Sequence, residues 1–151
     1  MTDAVANSNL RWIVAKAYLD AGDACVQQAR NGKYRGFIST PAIFLYFRSI
    51  ELALKACLDA HGVDQKELAR RLGHRLQRLL ENGDSFSLRA ALGLTPEDEA
   101  LIAAYSDYYS QKEFEYPPRL WSRQPDLDQL AGLATKIIET SRKYKPPRGT
   151  R

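Results

Sequence analysis

The sequence predicts an all-α protein, an antiparallel up-and-down bundle of four to five helices, and three observations carry that expectation. Apolar residues recur at helical spacing through almost every segment long enough to fold. Helix-start signatures, Thr40-Pro41 and Thr95-Pro96-Glu97-Asp98, stand directly ahead of apolar runs. No segment alternates apolar and polar residues as a half-buried strand does. With 151 residues, 44% of them hydrophobic and 26% charged, the chain has the length and balance of one globular domain. The domain is expected over 1–145, with a basic flexible tail over 146–151.

The first helix is expected to start near Asn7 or Ser8, both good N-caps, and to run to about Arg30. Leu10, Val14, Ala17, Tyr18, Ala21, Ala24, Cys25 and Gln28 form its inward stripe in this reading. Asn31-Gly32 ends it, and residues 31 to 39 read as a loop. Thr40-Pro41 then opens a second helix that reaches about His61, with Gly62 past its end. Phe44, Phe47, Ile50, Leu54, Cys57 and Leu58 give it a thick apolar face, which marks it as the central helix.

Asp64 with Glu67 resembles a capping box for a third segment, carrying Leu68, Leu72, Leu76, Leu79 and Leu80 to about Glu81, with Gly73 as its interruption. Asn82-Gly83 closes it, and residues 82 to 94 read as the longest loop. A fourth helix follows from Thr95 to about Gln111, with Leu101, Ile102, Tyr105, Tyr108 and Tyr109; the tyrosines read as core and core-edge aromatics whose hydroxyls reach the surface. Pro117-Pro118 forbids its continuation. Asp126 with Gln129 starts a last helix to about Tyr144, with Leu127, Leu130, Ala134, Ile137, Ile138 and Ser141 inward. Helices with one apolar stripe each must bury those stripes against one another, and a bundle follows.

Composition narrows the chemistry. The net charge of +4 belongs to the chain end: without the last ten residues, 17 basic side chains face 18 acidic ones. No apolar run approaches the ~20 residues of a membrane span. The opening residues lack a basic start followed by an apolar stretch, so a cytoplasmic location is the default. Cys25 and Cys57 sit within apolar helical patterns and read as buried free thiols. There is no phosphate-cradling glycine loop, no His-Glu-x-x-His and no nucleophile-elbow serine. Neither His61 nor His74 has an acid three residues before it, where Leu58 and Arg71 stand, so no metal and no cofactor is expected.

One polar constellation remains. Arg48, Glu51, Lys55 and Asp59 share a face of the second helix, and Glu51 precedes Lys55 by four, the favourable ion-pair order. Such a stripe is ordinarily solvated. From Ala42 to Leu58, however, the helix is otherwise almost wholly apolar, and charges on a helix with so little free circumference are paired or line a groove. His74, after Gly73, is either a satisfied packing residue or a base; Tyr116 is either a packing lid or an aromatic wall of a cleft.

The string Tyr46-Phe47-Arg48-Ser49-Ile50-Glu51-Leu52-Ala53-Leu54-Lys55-Ala56-Cys57-Leu58 resembles the second helix of HEPN-domain proteins. Gly62, Leu68-Ala69-Arg70-Arg71-Leu72-Gly73-His74-Arg75-Leu76 and Glu113-Phe114-Glu115-Tyr116-Pro117 extend the likeness over about residues 40 to 118. Arg75 stands where an acidic residue is frequent in that superfamily. The resemblance implies a helical bundle, commonly a homodimer, found in bacterial defence, toxin–antitoxin and nucleotide-linked systems. Many members are metal-independent ribonucleases with an Arg, four to six residues and a His. Here the required positions hold Glu67, Leu68 and Ala69 before His74, and Leu54, Lys55 and Ala56 before His61.

The leading expectation is therefore a non-catalytic HEPN-like binding module without catalytic residues. Arg48, Glu51, Lys55, His74 and Tyr116 line its groove, for a nucleotide, RNA or a protein partner. One alternative is a metal-independent ribonuclease toxin with His74 as acid or base and Arg70, Arg71 or Arg75 on the phosphate. Another is a structural dimerisation or adaptor domain.

Overall fold

A computed structural model describes residues 3–32, 39–112 and 124–144. The elements are α1 (Asp3–Arg30), α2 (Ser39–Ala60), a π-helical turn (Glu67–Leu72), α3 (Leu76–Gly83), α4 (Leu88–Ala91), α5 (Pro96–Ser110) and α6 (Leu127–Ser141). Short 3-10 turns follow α3 and α6. No strand occurs among the described residues, and none of their helices is long and apolar enough to cross a membrane. The all-α class is as the sequence predicts.

Cross-helix bonds fix the topology. Ser8, near the start of α1, donates to the Ala56 carbonyl near the end of α2 (2.9 Å), while Tyr46 of α2 donates to Asp23 of α1 (2.8 Å). The two helices are therefore antiparallel. The Trp12 indole donates to Ser141 (3.1 Å), and Arg30 pairs with Asp128 (2.7 Å), so α6 is antiparallel to α1 as well. α2 lies at the centre, with every residue from Glu51 to Asp59 buried. α3 packs on both α2 and α5. α5 reaches α2 through its side chains, with the Phe47 ring 5.7 Å from Tyr109 and 6.3 Å from Tyr105.

Sequence and structure differ on α1. The helix begins at Asp3, before the expected caps, and Ser8 lies inside it with its hydroxyl spent on Ala56. Its buried stripe is Ser8, Trp12, Ala15, Leu19 and Gly22, whereas Leu10, Val14, Ala17, Ala21, Ala24 and Gln28 are exposed. The two stripes have the same spacing and lie on opposite sides. The true inner one is disguised because it uses small and polar residues where backbones approach closely. Ser49 donates to the Ala15 carbonyl (2.8 Å). A Cβ on Gly22 would lie 2.8 Å from the Tyr46 ring.

Residues 82 to 94 also differ from the expected loop, because they continue α3 into a 3-10 turn and α4. Gly83 is helical, with φ −72°, and is required for space: a Cβ there would stand 2.5 Å from Leu88 Cδ2. Leu88 and Leu92 are fully buried and anchor the segment. The Asp64 side chain takes the Lys66 N–H (3.0 Å), and Glu67 pairs with Arg71 rather than closing the expected box. Thr95 and Asp98 do form a reciprocal capping box, and Asp126 accepts from the Gln129 N–H (2.9 Å). Residues 113–118 and the tail over 146–151 lie outside the described residues.

Gly22→Ala tests the α1–α2 contact. Alanine favours an exposed helix by about 1 kcal/mol. Here the new methyl meets an aromatic ring that is buried and tied to Asp23, and overpacking of that kind costs about 1–3 kcal/mol. The variant is expected to be less stable by up to about 2 kcal/mol in urea unfolding. A stabilised variant would show that Tyr46 has room to yield.

Candidate functional site

The apolar run of α2 leaves its charged residues no wide polar face, and the structure turns them inward. Glu51 has no exposure, and Lys55 and Asp59 are nearly as buried. Lys55 Nζ donates to Glu51 Oε1 at 2.6 Å, and Arg48 Nη1 donates to Oε2 at 2.8 Å. The Tyr109 hydroxyl of α5 also donates to Oε2. His74 Nδ1 lies 3.1 Å from both oxygens. One carboxylate thus gathers partners from α2, from the Gly73–Arg75 link and from α5.

Burial alone pushes the Glu51 carboxyl up, but the Lys55 charge, hydrogen bonds from Lys55 and Tyr109, and the Arg48 charge outweigh it and hold the group below its ordinary value. The reciprocal effects fall on its partners. Burial, the Glu51 charge and the bond to it drive the Tyr109 hydroxyl far up. Arg48, disfavoured by burial, is held as a cation chiefly by Glu51. Its guanidinium also stands 5.9 Å from the Tyr18 ring centroid, within cation–π range.

A specific backbone places His74. The π-turn over Glu67–Leu72 is wider than an α-turn and closes with the Gly73 N–H on the Leu68 carbonyl (3.2 Å). Gly73 then adopts φ 52°, ψ −130°, a region that side chains disfavour, and reverses the chain into α3. His74 arrives half-exposed, with one ring nitrogen on Glu51. An ionised carboxylate only accepts, so Nδ1 carries the hydrogen and Nε2 is directed away from the hub.

Two hollows meet at His74. The larger, about 690 Å3, lies between the π-turn, α3 and the end of α5, with Arg70, Arg71, Arg75 and Arg78 in its lining against Glu81 and Asp107. Arg71 pairs with Glu67 at 3.3 Å, and Arg78 donates to the Arg71 carbonyl at 3.4 Å. Neither the Arg70 nor the Arg75 side chain has an ion pair or hydrogen bond among the described residues. The smaller hollow, about 210 Å3, has Tyr18, Phe44 and Tyr109 as walls, with Arg48 and Lys112 as cations.

Arg48, Glu51, Lys55 and His74 are therefore brought together, while Tyr116 lies outside the described residues. Lys55 is spent on Glu51 rather than open to a ligand. Asp59 joins a separate knot, with Arg11 and Gln65 on its carboxylate. Burial there outweighs Arg11 and raises the Asp59 carboxyl, so its contribution to stability declines as pH rises through its folded value. Sequence reasoning missed Tyr109, whose hydroxyl turns inward; no motif marks that bond, although Tyr105 and Tyr109 at i, i+4 signal a shared face. It also missed Arg78, one helical turn beyond Arg75 and the fourth arginine of the cleft.

Glu51→Gln removes the one anion that Lys55 and Arg48 share. Breaking such a buried pair costs about 3–5 kcal/mol, and a loss of that size is expected in urea unfolding at neutral pH. Because the folded-state value is lowered, the stabilisation is full above pH 4.5 and is lost as pH falls through the folded value. The stability gap between parent and variant is expected to narrow on acidification. A gap independent of pH would contradict an ionised Glu51.

No family model, curated protein or solved structure gives a significant match to the chain.

Proposed function

We propose that the chain is a HEPN-like module that binds RNA through its phosphates in the cleft beside His74. The observation that carries this reading is the concentration of Arg70, Arg71, Arg75 and Arg78 on one hollow of about 690 Å3. Guanidinium groups are planar, always charged and suited to two-point contact with phosphate oxygens. The Arg70 and Arg75 guanidinium groups have no protein partner among the described residues. The adjoining hollow adds half-buried Tyr18 and Phe44 beside Arg48 and Lys112, the pairing of ring faces with cations that single strands use for stacking. In this reading Glu51 and Lys55 position His74 and Arg48 and touch no ligand themselves. The bacterial defence or toxin–antitoxin setting rests on the resemblance of residues 40 to 118 alone.

A second reading, a metal-independent ribonuclease, is favoured by one feature: His74 turns Nε2 away from Glu51 beside the arginines, where a base or acid could meet a ribose hydroxyl or leaving oxygen.

Fluorescence polarisation with a short single-stranded RNA separates these readings. The parent is expected to bind with a log–log salt slope that falls by about 1.4 in the Arg70→Ala/Arg75→Ala double variant, since each lost phosphate contact removes about 0.7. An unchanged slope, or no binding by the parent, defeats the module reading. Intact RNA after long incubation supports binding alone. Cleavage that disappears in His74→Ala establishes the enzyme.

A further inference from the structure

The smaller hollow at His74 holds more polar detail than a stacking surface needs. Tyr18 of α1, Phe44 and Arg48 of α2, and Tyr109 and Lys112 at the end of α5 surround about 210 Å3, against about 690 Å3 for the arginine cleft. Such a space suits one ring system rather than a length of strand. The Phe44 and Tyr109 rings stand 6.4 Å apart, tilted by 36°. The polar lining is one-sided. Arg48 bonds Glu51 through Nη1, which leaves the rest of its donor fork uncommitted to that carboxylate. The Lys112 side chain has no ion pair or hydrogen bond among the described residues. No carboxylate is in the described lining, and the Tyr109 hydroxyl and His74 Nδ1 are already turned to Glu51. Lys112 also holds an unfavourable backbone. It follows the C-cap Gln111 of α5 with φ 60°, the left-handed conformation for which helix ends favour glycine. Its N–H closes the turn on the Tyr109 carbonyl (3.1 Å), which a glycine N–H would do equally well. The turn thus accounts for a glycine at this position, and the ammonium in the hollow accounts for the lysine.

We infer that this hollow is a base pocket that selects guanine, with Arg48 and Lys112 donating to O6 and N7. The inference rests on the RNA-binding reading and adds a base identity to it. Guanine sets two acceptors side by side on one edge with no donor between or beside them, and arginine and lysine read that edge more often than any other. Adenine places an amino group next to its N7, where it would face the two cations without a carboxylate to receive it. Uracil has an N–H between its two carbonyl oxygens. Cytosine has an amino group beside its acceptors, and its single ring covers less of the three aromatic walls. Phosphates stay with Arg70, Arg71, Arg75 and Arg78 in the neighbouring cleft, so the two hollows divide the work between backbone and base.

Fluorescence polarisation of the full chain tests it, with a short oligoadenylate and the same strand carrying one central guanine, uracil or cytosine. The guanine strand is expected to bind at least about fivefold more tightly than the others, the discrimination of one good two-point contact. Inosine, which keeps O6 and N7, is expected to retain that advantage, and 7-deazaguanine, which lacks N7, to lose it. Lys112→Gly is expected to abolish the advantage while its urea midpoint stays no lower than the parent's, because glycine accepts the left-handed turn. Loss of base preference in that variant is then not loss of fold. A residue that served only to end α5 would leave the preference untouched. Equal binding of the four strands, or an advantage that survives in 7-deazaguanine or in Lys112→Gly, overturns the guanine pocket and leaves the phosphate reading standing. No binding of any strand by the parent removes both.

Discussion

A carboxylate removed from water stays ionised only where its surroundings replace the solvation it has lost, and Glu51 imposes that demand on three parts of the chain at once. Its own helix supplies Arg48 and Lys55, the link before α3 supplies His74, and α5 supplies Tyr109. An unpartnered charge there would cost several kcal/mol. A shift of α5 along its axis, or of the Gly73 link off α2, would break one of these bonds. This matters most for α5, whose link to α2 runs through aromatic rings 5.7 to 6.4 Å apart, contacts that tolerate sliding better than hydrogen bonds do. The polar hub therefore supplies the register that ring packing leaves loose.

α2 was the most legible part of the molecule. Its apolar run is dense enough that three charged residues within it had to find partners, and that argument needs only helical periodicity and the cost of burying charge. It leads to Glu51 and Lys55, and the Gly73-His74 pair supplies the third member. Tyr109 could not be reached in the same way. Whether a tyrosine hydroxyl on a half-buried helix points outward or inward depends on what lies opposite, and what lies opposite depends on how α5 docks.

α1 misled for a physical reason that bears on the fold. A hydrophobic stripe identifies a buried face only when the helix has one. The seam with α2 is built from Ser8, Ala15 and Gly22 because the backbones come close enough for hydroxyls to bond carbonyls across the gap. Close approach selects small residues, which score poorly as hydrophobic, so the more apolar stripe is the one outside. Gly83 likewise answers to close packing: it ends α3, as its sequence position signals, and Leu88 occupies the space its Cβ would fill.

The hub also bears on the order of the two functional readings. A carboxylate that serves a catalytic histidine has its charge available to the imidazolium that forms during the reaction. Glu51 faces Lys55 at 2.6 Å and Arg48 at 2.8 Å, so its charge is engaged before any ligand arrives. It fixes the orientation of the His74 ring, and with it the direction of Nε2, but it is poorly placed to drive a proton transfer. A pinned ring beside a cluster of arginines fits the proposed binding role better than the ribonuclease reading. Cleavage would require the cleft itself, through Arg70, Arg75 and Arg78, to supply the charge stabilisation that Glu51 does not.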